Sequence, residues 1–333
     1  MTDKNKTLLF KVAILFCCLI FSPPGPVAAG SSSLHKVTFM TQWVPQAQFA
    51  GYYVALETGL YRQYGLDVTI VSGGPNRSAA EFLKEKKTDF ASLWLVTGLE
   101  LYNQDVPVIN LAQMVQRSAL MLVAKKKSGI VKPGDMQGRR VGLWGPPSDI
   151  QPRLFFKKFG LKVEPVRQSY SVDLFLRDGV AVASAMWYNE YHMLLNAGLD
   201  PDELTTFFFS DYGLNYPEDG IYVLRETWQQ KPDICRAFVR ASLQGWRQAF
   251  SDPEQALDIT MRNLKKAHIT TNRTHQAWML ARMRDIMLPP GNGREMGHLD
   301  EEDFQRVIHG LSQQDGFQNA PSYQKFYQQP AVE

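Results

Sequence analysis

Apolar residues recur at helical spacing through Phe49, Tyr52, Tyr53, Leu56 and Leu60, and a short β-rich run, Asp67 to Val71, follows at once. Pro45 suits a first helical turn, and Gly59 and Gly65 stand where helices usually end. With the apolar run Val37 to Met40 ahead of it, the stretch predicts strand, loop, helix, strand, which is one βαβ unit of a parallel sheet. Ligand sites of such sheets lie beyond the carboxyl ends of the strands, so Gln42, Trp43 and the helix start are expected to form a cleft wall.

The pattern then repeats. Gly73 to Asn76 turns the chain into a helix over Arg77 to Lys87, followed by a strand at Phe90 to Leu93, a helix at Thr97 to Asn103 and a strand at Pro107 to Gln113. Ala119 to Ala124 is an apolar run leaving this first series, and Lys132 to Gly138 is a turn-rich linker. A second series predicts strands at Val141 to Trp144, Val163 to Arg167, Val180 to Trp187 and Leu204 to Phe209, with helices at Ile150 to Phe159 and Val172 to Asp178 and another opening at Tyr188 to Tyr191. From Ile221 onward the periodicity is helical: Asp233 to Ser251, Pro253 to Lys266, Thr271 to Met287 and Asp300 to Leu311. Two α/β series joined by two crossings predict an α/β protein of two hinged lobes, each a mixed, mostly parallel sheet flanked by helices. Lobe 1 is expected to hold residues 30–126 and 221–333 and lobe 2 residues 127–220, with hinges near Lys125 to Ser128 and Tyr216 to Gly220.

Composition narrows the class. Lys4, Lys6 and Lys11 flank and enter the apolar run Leu8 to Phe21, and Val27-Ala28-Ala29 offers a small-residue cleavage site, so residues 1–29 read as a secretory signal peptide. The run falls short of the roughly 20 apolar residues that a membrane anchor needs. Once residues 1–29 are removed, Cys235 alone remains of three cysteines, which excludes a disulfide-stapled scaffold. Net charge is +3 with no basic groove interleaved with aromatics, which argues against nucleic acid as a partner. The six histidines are scattered, no pair shows metal-ligand spacing, and His192 reads as a satisfied surface or core residue. No metal site and no cofactor is expected.

Two constellations point to ligand chemistry. Trp43 stands outside the helix at a strand end, where a ligand role outweighs a packing role; for Tyr52, core and ligand readings are equally weighted. Tyr188, Asn189 and Glu190 leave a buried strand as a helix begins. Glu190 there can accept hydrogen bonds from a ring or exocyclic amine, worth roughly 1.5–3 kcal/mol, although Asn189 as a cap and Glu190 as a helix-start charge would explain the same residues. The loop Gly145 to Asp149, which contains Ser148, precedes a helix whose free N–H groups can hold an anion. Glu218 and Asp219, at the second crossing, either add negative charge to the cleft or form a plain hinge turn.

The segment VTFMTQWVPQAQFAGYYVALETGLYRQYGLDVTIV, together with KTDFASLW, MQGRRVGLWG and AMWYNEY, resembles the periplasmic solute-binding proteins of thiamine-pyrimidine and alkanesulfonate or taurine importers, most of all the thiamine-pyrimidine-precursor branch that also includes the fungal thiamine-pyrimidine synthase. The resemblance runs in order through nearly all of the chain after the signal. It implies the two-lobed type II periplasmic binding protein fold, a small heteroaromatic ligand of aminopyrimidine type, a membrane permease of an ABC importer as partner, a periplasmic location and a monomer. It places Trp43, Phe49 and Tyr52 on an aromatic cleft wall, counts Trp94, Trp144 and Trp187 with them, and gives Ser148, Tyr188, Asn189, Glu190 and Asp219 as polar contacts. The fungal synthase relies on a cysteine-rich metal motif, a lysine holding pyridoxal and a histidine consumed in the reaction; KTDFASLW with Leu95, Val96 and Thr97 supplies neither the Lys nor the His where needed, so no catalytic residues are expected. Other readings are a ligand-sensing subunit for a receptor kinase and a sulfonate- or taurine-binding protein.

Overall fold

The computed structural model describes residues 33–291 and 293–330, so the expected signal at residues 1–29 lies outside the described residues. Among the described residues no helix is long and apolar enough to cross a membrane. The strands are β1 (His35–Thr41), β2 (Leu66–Ser72), β3 (Phe90–Trp94), β4 (Val108–Gln113), β5 (Leu120–Lys125), β6 (Arg140–Leu143), β7 (Glu164–Arg167), β8 (Val182–Met186), β9 (Leu204–Phe208) and β10 (Asp219–Leu224). They form two five-stranded sheets, ordered β2-β1-β3-β10-β4 and β7-β6-β8-β5-β9.

The two sheets are built alike. β1 runs parallel to β2 and β3, and β6 runs parallel to β7 and β8. Each sheet is then completed through one antiparallel strand next to the crossings, β10 between β3 and β4, and β5 between β8 and β9. Helices cover both, giving the two-lobed α/β architecture that the alternation of patterns predicts.

The crossings differ from expectation in two places. Leu120–Lys125 is the fully buried β5, inside the second sheet, so the first passage lies at residues 114–119 and not at Lys125 to Ser128. Nothing in Met114 to Ala119 breaks a periodic pattern, whereas Lys126–Ser128, a solvated single turn ended by Gly129 at φ 77°, carries turn residues without being a hinge. The second difference is β10. Its six buried residues begin at Asp219, where the sequence reads as crossing and helical tail, and they pair on both sides with the first sheet.

The two passages are bonded to each other. Glu218 Oε1 accepts from Ser118 Oγ at 3.0 Å, from Ala119 N at 2.6 Å and from Leu120 N at 3.2 Å. Asn215 Oδ1 accepts from Ser118 N at 2.9 Å, and its amide donates to Gln116 O at 3.1 Å. This clasp sits beside the start of β10 and ties hinge geometry to Asp219.

The tail helices start where side chains can cap them. Asp252 accepts from Gln255 N, Asn272 from His275 N and Asp300 from Glu302 N and Asp303 N. Helix Ala50–Glu57, which follows the loop after β1, packs on helix Pro232–Ser251 through facing glycines. A Cβ on Gly51 would stand 2.2 Å from the Trp246 ring, and one on Gly245 would stand 2.3 Å from Gly51 O. The close approach fixes the helix that holds the first wall of the cleft.

Candidate functional site

A cavity of about 270 Å³ opens where loops of both sheets meet. Gln42 and Trp43 follow β1, Trp94 ends β3, Trp144 to Ser148 follow β6, Arg167 ends β7, and Tyr188 to Glu190 follow β8. These strands are parallel within each sheet, so their carboxyl ends share one edge and their loops converge.

The walls are aromatic. Trp43, from the first lobe, meets Tyr170, from the second, edge-on with ring centroids 4.6 Å apart. The Trp144 indole donates to Ser169 O at 3.1 Å, which holds the ring against the cavity. Trp94 is half-buried, and its buried indole N–H is directed at the Asp219 carboxylate without closing a hydrogen bond of normal geometry.

The inner end is acidic and buried. Glu190 is 4% exposed; Oε2 accepts from Met186 N at 3.0 Å and Oε1 from Asn189 Nδ2 at 2.8 Å. A carboxylate offers about four acceptor sites, so two remain for a ligand while the group is already oriented. Burial raises its pKa from 4.5 to about 7, partly offset by those hydrogen bonds. Asp219 stands behind the cavity rather than on its wall: Gln42 Nε2 and Gln48 Nε2, both from lining residues, donate to its two oxygens, the second at 2.7 Å. Burial raises it to about 7, and the side chains of Gln48, Trp94 and Gln42 pull it partway back. Glu218 rises to about 8, by burial first and the neighbouring Asp219 second. The Tyr188 hydroxyl is pushed well above its ordinary value by burial and then by Glu218, Asp219 and Glu190.

Seven of the sequence-predicted residues therefore line one cavity: Trp43, Trp94, Trp144, Ser148, Tyr188, Asn189 and Glu190. Four do not reach it: Asp219, behind the wall, and Phe49, Tyr52 and Trp187. Phe49 and Tyr52 are fully buried core residues, Tyr52 lying 4.6 Å from the Phe39 ring and 5.8 Å from the Trp246 ring. Phe49 ends the single turn Ala47–Phe49, and Tyr52 rides on the face of the next helix turned to helix Pro232–Ser251, a face that sequence spacing alone cannot distinguish from the cleft face. Trp187, in the turn after β8, packs edge-on against Phe208 and under the Arg282 guanidinium, away from the cavity.

The sequence reading missed Gln46, Gln48, Arg167 and Tyr170. Arg167 is the last residue of the exposed edge strand β7, where a charged side chain reads as solvated, and Tyr170 stands in the loop beyond it. Arg167 makes no ion pair among the described residues, and its Nη1 lies against Gly145, where a Cβ would meet it at 1.9 Å.

A wider groove of about 610 Å³ at the opposite edge of the second sheet is lined by Lys125, Arg139, Arg140, Glu164 and Asp178. It has no aromatic wall, and its Lys125 is bonded to Asp178 at 2.6 Å. Among the described residues no group of three His, Cys, Asp or Glu is placed to hold a metal ion. Cys235 is buried, and burial pushes its thiol up to about 12.

The profile of the family described as NMT1/THI5 like matches residues 46–256. The chain is similar to the formylaminopyrimidine-binding protein of Halalkalibacterium halodurans, with 25% identity over 315 residues, 92% of this chain and 94% of that protein. It is similar to the riboflavin-binding protein RibY of Chloroflexus aurantiacus at 24% identity, over 78% of this chain and 77% of that one. The 4-amino-5-hydroxymethyl-2-methylpyrimidine phosphate synthase THI11 of Saccharomyces cerevisiae matches at 24% identity over 40% of this chain and 39% of its own length. Among solved structures, the periplasmic aliphatic sulphonate binding protein SsuA from Escherichia coli superposes with a TM-score of 0.71 at 14% identity, over 90% of this chain and 94% of that one. At that identity the likeness is one of fold.

Proposed function

The chain belongs to the NMT1/THI5-like family, and from that premise we propose that it is an extracytoplasmic solute-binding protein of an ABC importer whose two lobes close on an aminopyrimidine, a thiamine-pyrimidine precursor. The observation that carries this reading is the cavity itself: an aromatic slot in which Glu190, buried and already oriented, faces the ligand space. A flat ring stacked between indoles gains roughly 0.5–1.5 kcal/mol per aromatic pair beyond area burial. Its amino group then meets a carboxylate in a desolvated setting, where charge-assisted hydrogen bonds contribute most.

Size supports the same class. At about 270 Å³ the cavity lies just below the usual range of ligand sites, roughly 300–1,000 Å³. One substituted ring fits that volume better than a tricyclic flavin. The relatives matched along 78% and 92% of this chain are binding proteins, while a synthase match reaches 58% of it at 21% identity, so the protein is read as a binder and not an enzyme. A periplasmic location and a permease that recognises the closed lobes follow from this assignment, with lobe 1 comprising residues up to about the first passage plus the tail from β10, and lobe 2 lying between the passages.

One observation favours a second reading. Arg167, which lines the cavity against Gly145, makes no ion pair among the described residues, and such a guanidinium recognises a sulfonate or another anionic substituent. A thermal-shift panel separates the two: formylaminopyrimidine is expected to raise Tm while taurine and aliphatic sulfonates leave it unchanged, and the reverse ranking would replace the aminopyrimidine by a sulfonate.

A further inference from the structure

Behind Glu190 the hydrogen bonds continue out of the cavity and across to the other lobe. Asn189 Nδ2 donates to Glu190 Oε1, which leaves Asn189 Oδ1 as an acceptor; His275 Nε2 lies 3.0 Å from it and must be the donor. His275 Nδ1 in turn lies 2.8 Å from His192 Nδ1. His192 stacks on Trp278 at 4.8 Å and 13°, and the Trp278 indole donates to Trp187 O at 3.1 Å. Asn189 and His192 belong to the second lobe, on the helix that leaves β8.

His275 belongs to the first. Its helix, Arg273–Met287, packs on helix Pro253–Lys266, and Gln276 Oε1 accepts from Ala47 N at 2.7 Å in the loop after β1. At the far end of the helix Ile286 O accepts from Gln116 N and Arg117 N at 3.0 Å, on the first passage between lobes. The helix is thus anchored to the first wall and to the hinge, and His275 reaches from it into the second lobe.

We propose that His275 is a positioning residue for the binding cleft: with His192 it forms a latch between the lobes, and through Asn189 it orients the carboxylate of Glu190 when the lobes are closed. The ligand part rests on the aminopyrimidine reading; the latch part rests on the geometry alone. Opening the lobes separates His275 from both His192 and Asn189, so the Asn189 amide loses the bond that fixes which of its ends faces Glu190.

The proton count gives the latch a signature. With His275 neutral and Nε2 protonated, its Nδ1 accepts from His192 Nδ1–H; with one proton added, His275 donates through both nitrogens and His192 Nδ1 accepts, and only then can the Asn196 amide, 3.2 Å from the same nitrogen, donate to it as well. A second proton sets two N–H groups against each other at 2.8 Å and breaks the contact. Burial disfavours the charged form of both rings, and the proximity of His192 adds to this at His275. The charged and titratable groups around the pair act in the same assembly. Glu190 faces it through Asn189, Tyr191 lies beside Trp278, and Arg282 lies over Trp278 and is bonded to Asp285, while Arg273 is bonded to Glu254 and Asp258.

The test compares His275→Ala and His275→Gln with the unaltered chain by small-angle scattering of the ligand-free protein and by titration with formylaminopyrimidine between pH 5 and pH 8. A Gln amide replaces the Nε2 donor to Asn189 but cannot titrate. His275→Ala is expected to enlarge the ligand-free radius of gyration and to weaken formylaminopyrimidine at least tenfold at pH 7.5. His275→Gln is expected to recover most of that affinity and to lose less of it on acidification than the unaltered chain does. Equal losses in both variants with parallel pH profiles would reduce His275 to a packing residue, and an unchanged radius together with affinity within twofold in His275→Ala would overturn the latch. If the unaltered chain does not bind formylaminopyrimidine, the aminopyrimidine reading fails, and the scattering comparison alone decides the latch.

Discussion

The Trp43 indole and the Tyr170 ring touch edge-on across the mouth of the cavity, 4.6 Å between centroids, one from each lobe. The pair closes the slot over whatever lies between Trp144 and Glu190. An aromatic pair of this kind is worth roughly 0.5–1.5 kcal/mol, so Tyr170→Ala should weaken ligand about two- to twelvefold, mainly by faster release. Stopped-flow tryptophan fluorescence separates the two rates; a change confined to association would contradict a closing role.

Glu190→Gln keeps the size of the side chain and removes its charge. Affinity for an aminopyrimidine should fall at least tenfold, about 1.4 kcal/mol. Calorimetry on the folded variant checks this, and undiminished binding would leave Glu190 as no more than the bonded end of β8.

Stability and binding should respond to pH with opposite signs. Burial raises the carboxyls of Glu190 and Asp219 to about 7 and that of Glu218 to about 8. A group raised in the folded state contributes its stabilisation in full below its unfolded value, and that contribution is lost as pH climbs through the folded value. The ligand-free Tm should therefore decline from about pH 5 toward pH 8, while affinity for an amino ligand, which needs the ionised carboxylate, should rise over the same window. Scanning calorimetry with and without ligand reads both trends; parallel trends would mean that Glu190 does not face the ligand.

Tyr52→Phe tests where the helix after the cleft loop points. The ring sits against Phe39 and Trp246, so ligand affinity should stay within twofold of the unaltered chain. On the same helix Gly51→Ala forces a methyl into the Trp246 ring, and overpacking of this kind costs roughly 1–3 kcal/mol, which a urea denaturation series would register.

What the sequence showed and concealed follows from physical period. Long amphipathic helices such as Pro253–Lys266, and strands bounded by turns such as Phe90–Trp94, carry a complete local signal. β10 does not: six buried residues after a run of turn formers look like a loop's end until their partners, β3 and β4, are known. The first passage was hidden for the same reason, since its constraint is Glu218, a hundred residues away. In the cavity, residues at strand ends were legible because the parallel pattern fixes that edge. Tyr170 was not, because it stands in a loop beyond β7, and Arg167 was not, because a charged residue ending an exposed edge strand reads as solvated; on sequence alone Phe49 and Tyr52 divide between core and cleft because helical spacing gives a face but not its neighbour.

The most direct measurement is a calorimetric titration of the protein, residues 30–333, with formylaminopyrimidine, taurine and an aliphatic sulfonate. One-to-one saturable binding of formylaminopyrimidine, micromolar or tighter at roughly 8 kcal/mol or more, with no heat from taurine or sulfonate, is the predicted result. Saturation by a sulfonate with none by formylaminopyrimidine would contradict it.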